Sequence, residues 1–214
     1  MDPDRAEFIR TNTAVMAPPH VPEIALHLAD EAHDLWHKTE EELQRIGLEP
    51  PFWAFAWAGG QGLARYVLDN PDCVKGRRVL DFATGSGLVA IAAAKAGAAH
   101  VTAADIDPFC ASAVALNAGL NDAEIAYEGR DLVGRPVDAE VLLAGDVFFD
   151  REMSDAIVPW FESLAGSGVR ILVGDPGRAY LPRGRLSRLA EYNVAVTRAL
   201  EDAETKRTSV WQFA

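Results

Sequence analysis

From residue 77 onward, short apolar runs alternate with longer, alanine-rich stretches. The runs at 78–82, 100–105, 125–128, 141–145 and 169–174 are too short for helices and read as strands. The stretches 88–96, 109–118, 153–164 and 183–191 carry helical spacing, and the tail alternates as two further strands near 193–200 and 208–213. Strands separated by helices of about ten residues indicate βαβ units. The pattern therefore predicts an α/β fold with a seven-stranded, mostly parallel sheet, helices on both faces and an antiparallel C-terminal hairpin at one edge.

The N-terminal part reads differently. Residues 1–21 suggest a short helix and then a turn at Pro18-Pro19-His20-Val21-Pro22, because each proline restrains itself and its predecessor. Between 23 and 46, Ile24, Leu28, Leu35, Leu43 and Ile46 approach helical spacing, with Gly47 as a stop. The expectation is an N-terminal helical arm, 1–49, preceding a catalytic domain, 50–214. The junction is aromatic and glycine-rich: Trp53, Phe55 and Trp57 alternate before Gly59, Gly60 and Gly62, and a helix is expected from 63 to 69. Three alternating rings suit either a half-buried extended segment or a lid over a ligand.

The formal net charge of −12 disfavours a phosphate backbone as partner. Cys73 and Cys110 form no CxxC or Cys/His cluster and read as ordinary thiols. No metal is indicated; His33 and His37 share a helical face but lack a third ligand. With neither a leader-like start nor a stretch of about 18 apolar residues, a cytoplasmic protein without a membrane partner is expected.

Candidate chemistry begins at Val79-Leu80-Asp81-Phe82-Ala83-Thr84-Gly85-Ser86-Gly87, a strand entering a glycine loop and then a helix. Such loops let the backbone approach a ligand at the carboxyl end of a sheet. Gly85-Ser86-Gly87-Leu88-Val89-Ala90 also fits G-x-G-x-x-A, so a nicotinamide dinucleotide competes. A carboxylate at Asp81 would repel its pyrophosphate and attract the ammonium and sulfonium of S-adenosylmethionine. The next strand ends in Asp105, suited to ribose hydroxyls, and Ile106, suited to one adenine face. Asp107-Pro108 reads as a helix cap followed by proline at N1.

The run from Asp81 to Gly87 followed by Ala104-Asp105-Ile106-Asp107-Pro108 resembles the cofactor motifs of class I, Rossmann-like methyltransferases, with Ala83 standing where that family has a glycine. Asp146 and Phe149, in Gly145-Asp146-Val147-Phe148-Phe149-Asp150, resemble the [Asp/Glu]-x-x-[Tyr/Phe] signature of seven-strand lysine methyltransferases. The segment 52–67 resembles enzymes acting on the electron transfer flavoprotein β-subunit or on ribosomal proteins. The resemblance implies S-adenosyl-L-methionine as cofactor, held by Trp57, Asp81, Ala83, Gly85, Gly87, Asp105, Ile106 and Asp146. It implies a protein-lysine acceptor, with Asp146 and Phe149 catalytic and Trp53, Phe148 and Phe149 toward the substrate. A small-metabolite acceptor shares every cofactor residue and stays open, as does a non-catalytic binding module.

The lysine chemistry sets a demand. A lysine amine with pKa about 10.4 is rarely neutral near pH 7, and exposing its lone pair costs about 4–5 kcal/mol. Asp146 is suited to docking the ammonium, and Phe148, Phe149, Trp53 and Trp57 to desolvating it. Gly174-Asp175-Pro176-Gly177-Arg178 reads as a tight turn that borders the substrate entrance in the alternative reading.

Overall fold

The structure is a computed structural model describing residues 2–29, 50–196 and 204–213. Its main sheet contains β3 (Arg78–Phe82), β4 (His100–Ala104), β5 (Ala126–Glu128), β6 (Val141–Gly145), β7 (Arg170–Asp175), β8 (Leu186–Ala195) and β9 (Thr205–Phe213), ordered β5-β4-β3-β6-β7-β9-β8. The first five are parallel, and β9 and β8 run antiparallel at the edge, as the alternation predicts. The chain winds outward from β3 through β4 to β5, then returns to lay β6 on the other side of β3. That reversal opens a crevice at the carboxyl ends of β3 and β6, where open α/β sheets bind ligands.

Period-two alternation divides the core. Val79, Val141, Leu143, Leu172 and Val210 face one layer with Leu63, Val67 and Ile91. Leu80, Phe82, Leu142, Ile171 and Val173 face the other, against Ile157, Trp160 and Phe161. The first layer is covered by helices Ala58–Asp69 and Leu88–Lys95, the second by helix Arg151–Gly166.

Three expectations differ from the structure. Helix Ala58–Asp69 begins before its glycines rather than after them. A β-carbon on Gly145 would lie 2.9 Å from Gly60 Cα, and one on Gly62 would lie 2.6 Å from Thr208 Cγ2, so the glycines let this helix lie directly on the strand ends. The segment 183–191 is a 3₁₀ turn, Arg183–Arg185, followed by strand β8. A register shift between Arg188 and Ala190 accommodates an extra residue, so Leu186, Leu189 and Ala190 acquire a spacing that mimics a helix. Finally, Leu26–Leu28 is a strand (β2) paired antiparallel with β1 (Ala14–Met16), where helical spacing suggested a helix. The rest of that segment, including His33 and His37, lies outside the described residues.

The described part of the arm is fastened to helix Pro108–Leu120. Asn117 Oδ1 accepts from His27 N–H at 2.7 Å, and Asn121 bonds Ala25 N–H and C=O at 3.1 and 2.7 Å. Helix Pro3–Asn12 buries Ile9 in a third cluster with Trp53, Ala54 and Cys110. Among the described residues, no helix is long and apolar enough to cross a membrane.

Candidate active site

Asp81 lies one residue before the end of strand β3 and is buried. Its Oδ2 accepts the Thr84 hydroxyl at 2.5 Å and Ala90 N–H at 2.9 Å, tying both sides of the glycine loop to the strand. Burial pushes this carboxyl up to about 7, against the pull of those two donors. Asp81 thus acts by shaping the loop from beneath, a different role from the open cation-facing carboxylate expected from sequence.

The loop needs left-handed backbone at Ala83, Gly85 and Gly87, with φ of 53°, 52° and 83°. Glycine accepts this freely, whereas Ala83 costs about 1–2 kcal/mol. A β-carbon on Gly85 would lie 3.8 Å from Phe52 carbonyl oxygen and Trp53 Cα, so the aromatic segment passes over the loop.

At the end of β4, Asp105 grips the same loop: Oδ2 accepts Gly85 N–H at 2.9 Å and Oδ1 accepts Asp107 N–H at 3.0 Å. Asp107 caps helix Pro108–Leu120 through Phe109 N–H at 2.8 Å, as its sequence context predicts. Tyr127 was not legible as a site residue, yet its hydroxyl donates to the Asp105 carbonyl at 2.9 Å and steadies the turn. Ile106 is 73% exposed, an unusual state for isoleucine beside a cleft. A bare apolar side chain next to a carboxylate and a glycine loop fits a nucleoside ligand, with the carboxylate suited to its ribose and the isoleucine to its base.

Across the crevice, Asp146 follows β6 with φ of 59°, a conformation aspartate tolerates better than most residues. It is buried; Oδ2 accepts Gly60 N–H at 2.9 Å, capping helix Ala58–Asp69 from another element. Its Oδ1 accepts Arg178 Nε at 3.0 Å and Nη2 at 2.6 Å. Desolvation raises the Asp146 carboxyl to about 6, opposed chiefly by Arg178. Helix Arg151–Gly166 is capped separately by Asp150, which accepts Met153 N–H at 2.8 Å.

Arg178 was read as part of a turn, and the turn is real: Asp175 Oδ1 accepts Gly177 and Arg178 N–H at 2.6 and 2.7 Å. What spacing could not reveal is that this turn aims the guanidinium back at Asp146, 32 residues away, and over the Trp57 ring at 5.8 Å.

The aromatic candidates separate. Phe149 is 48% exposed and lies 5.6 Å from Phe52, which in turn lies 5.9 Å from Trp57. These three rings form one cluster, linked to Asp146 through Arg178, whose guanidinium lies over Trp57. Trp53 and Phe148 do not join them. Trp53 is 2% exposed and stacked on Phe109 at 5.5 Å, and Phe148 is fully buried near Phe161. Both pack in the core, the 3₁₀ turn Phe52–Ala54 leaving Trp53 buried and Phe52 exposed. Among the described residues, no group of three His, Cys, Asp or Glu side chains could hold a metal ion.

A relative from Xenopus laevis named electron transfer flavoprotein beta subunit lysine methyltransferase is 37% identical over 213 residues, covering 96% of this chain and 85% of the relative. The chain belongs to that family. The human relative of the same name is 33% identical, covering 100% of this chain and 83% of its own length. This member of the electron transfer flavoprotein β-subunit lysine methyltransferase family is therefore a protein-lysine methyltransferase, with S-adenosylmethionine as its methyl donor. A family model described as ribosomal protein L11 methyltransferase (PrmA) matches residues 65–144. Among solved structures, ribosomal protein L11 methylase from Lactobacillus delbrueckii subsp. bulgaricus superposes with a TM-score of 0.54 at 23% identity, over 75% of this chain and 80% of that one. Magnesium protoporphyrin IX methyltransferase from Synechocystis, with bound SAM, gives 0.54 at 17% identity, over 87% of this chain and all of that one. Both likenesses concern the fold.

Proposed function

We propose that the enzyme methylates a lysine of the electron transfer flavoprotein β-subunit, using residues 50–214 as the catalytic domain and 1–49 as an arm. The observation that carries this reading is the near-full-length identity to relatives bearing that name; buried Asp146 after β6 and exposed Phe149 further along the same loop support it. A ribosomal-protein lysine is the second reading, supported by the PrmA match, which is confined to the cofactor core and the strands beside it. The buried free thiols Cys73 and Cys110 suit a reducing, cytoplasmic setting.

In this reading Gly85, Gly87 and Ala83 bring the backbone against the cofactor, Asp105 accepts from its ribose hydroxyls, and Ile106 covers the adenine. Asp81 holds the loop in shape. S-adenosylmethionine, when bound, would supply an electrophilic sulfonium methyl: in-line attack of the neutral amine on that carbon would expel the thioether, which keeps the C–S bonding pair, and the resulting methylammonium would lose its proton to solvent. The acceptor side chain enters between Phe52, Phe149 and Trp57, whose rings strip its water. Asp146 receives an N–H of the amine and turns the lone pair toward the methyl.

Substituting Asp146 with alanine tests the division of labour. Transfer falls by about a hundredfold or more, the order expected when a reacting group loses its alignment. The S-adenosylhomocysteine dissociation constant stays within about threefold, a change of about 0.7 kcal/mol. Normal transfer with weakened cofactor binding would assign Asp146 to the other half of the site.

A further inference from the structure

We infer that Arg178 is a positioning residue for methyl transfer, holding Asp146 as a charge-neutral pair so that the acceptor amine is received in its neutral form. The inference rests on the proposed placement of the acceptor at Asp146. A free buried carboxylate there would be a trap: it would bind the lysine ammonium well and hold it in the unreactive protonation state. The structure has no free carboxylate at that point. Asp146 Oδ1 takes two guanidinium donors and Oδ2 takes the helix N–H of Gly60.

Arg178 is held from three directions, which suits a fixed counter-charge. Asp175 fixes its backbone N–H at 2.7 Å, Asp146 fixes its fork, and the Trp57 ring lies under its guanidinium. The other charges facing this group are Asp175, buried beneath the turn, and Arg183, which acts electrostatically on Asp175. Among the described residues, two carboxylates, Asp146 and Asp175, thus face two guanidinium groups, Arg178 and Arg183, with little net charge. A planar guanidinium suits this task because it stays charged and satisfies one carboxylate oxygen with two N–H groups.

The test is the pH dependence of kcat, which reports ionisation in the enzyme–substrate complex, measured with the lysine acceptor for wild type, Arg178→Gln and Asp146→Asn. Removing Arg178 leaves the carboxylate to stabilise the ammonium, so the pH at which kcat rises moves up by about one to two units, while KM for the acceptor is unchanged or lower. Asp146→Asn leaves the guanidinium uncompensated, so the limb of its residual activity moves down and KM increases. Opposite displacements of the two limbs are the expected signature. A rate loss in Arg178→Gln that is equal at every pH would reduce Arg178 to a structural role and overturn the inference. If Arg178→Gln shows no cooperative thermal unfolding transition and so has not folded, Asp146→Asn carries the test, and an unmoved or raised limb there overturns it. Failure of the wild type to methylate any protein lysine would remove the underlying reading and this inference with it.

Discussion

Gly59→Ala sets two physical effects against each other. Gly59 lies inside helix Ala58–Asp69, where alanine is ordinarily better than glycine by about 1 kcal/mol. A β-carbon there, however, would lie 2.5 Å from Asp146 Oδ2 and still nearer the Gly174 carbonyl oxygen, where ordinary contact begins at 3.4 Å. The helix would have to rise by more than 0.9 Å from the strand ends, the shortfall at Asp146 Oδ2, because the Gly174 contact is tighter. Overpacking of this kind costs about 1–3 kcal/mol. The lift would also pull Gly60 N–H from Asp146, losing a charge-assisted hydrogen bond of about 1.5–3 kcal/mol. Less the propensity gain, the variant should be destabilised by about 1.5–5 kcal/mol, a large part of the 5–15 kcal/mol typical of a domain. The neighbouring Gly60→Ala is the control: its β-carbon would meet only Val89 Cγ2 at 4.0 Å, so propensity should win and the variant should be slightly more stable. Urea denaturation of both variants decides the matter. Equal midpoints, or a Gly59→Ala protein as stable as wild type, would show that the helix does not press on β6 and β7 as described.

Asp105→Ala removes both the ribose acceptor and the tether on Gly85 N–H, so calorimetry should find S-adenosylhomocysteine weakened by about 3 kcal/mol, roughly a hundredfold; a change within threefold would detach Asp105 from the cofactor. For Asp81, the folded-state value of about 7 lies above the ordinary 3.8, so its contribution to stability is complete below pH 3.8 and is lost as pH rises through about 7. Asp81→Asn imitates the protonated form, so its stability relative to wild type should climb between pH 4 and pH 8 toward a ceiling of about 4 kcal/mol; a gap that ignores pH would refute the buried assignment.

The strand sequence was legible because successive residues of a core strand alternate between faces, as Leu80 and Phe82 do against Val79. The left-handed glycine loop and the Asp107 cap were legible because local chain geometry decides them. What failed was whatever depended on contacts distant in sequence. Gly59, Gly60 and Gly62 look like breakers until Gly145, Gly174 and Thr208 are brought beneath them. The bulge in β8 disguised a strand as a helix. Trp53 and Phe52 are adjacent in sequence, and only the 3₁₀ turn assigns one to the core and the other to the surface. Arg178 and Tyr127 act on residues 32 and 22 positions away, which no local pattern records.

The most direct measurement is mass spectrometry of purified electron transfer flavoprotein incubated with the enzyme and S-adenosylmethionine bearing an isotopically labelled methyl. The account predicts labelled methyl groups on lysine of the β-subunit, and none when the enzyme carries Asp146→Ala. Label that appears only on small molecules of an added cell extract, with every protein lysine unmodified, would contradict it.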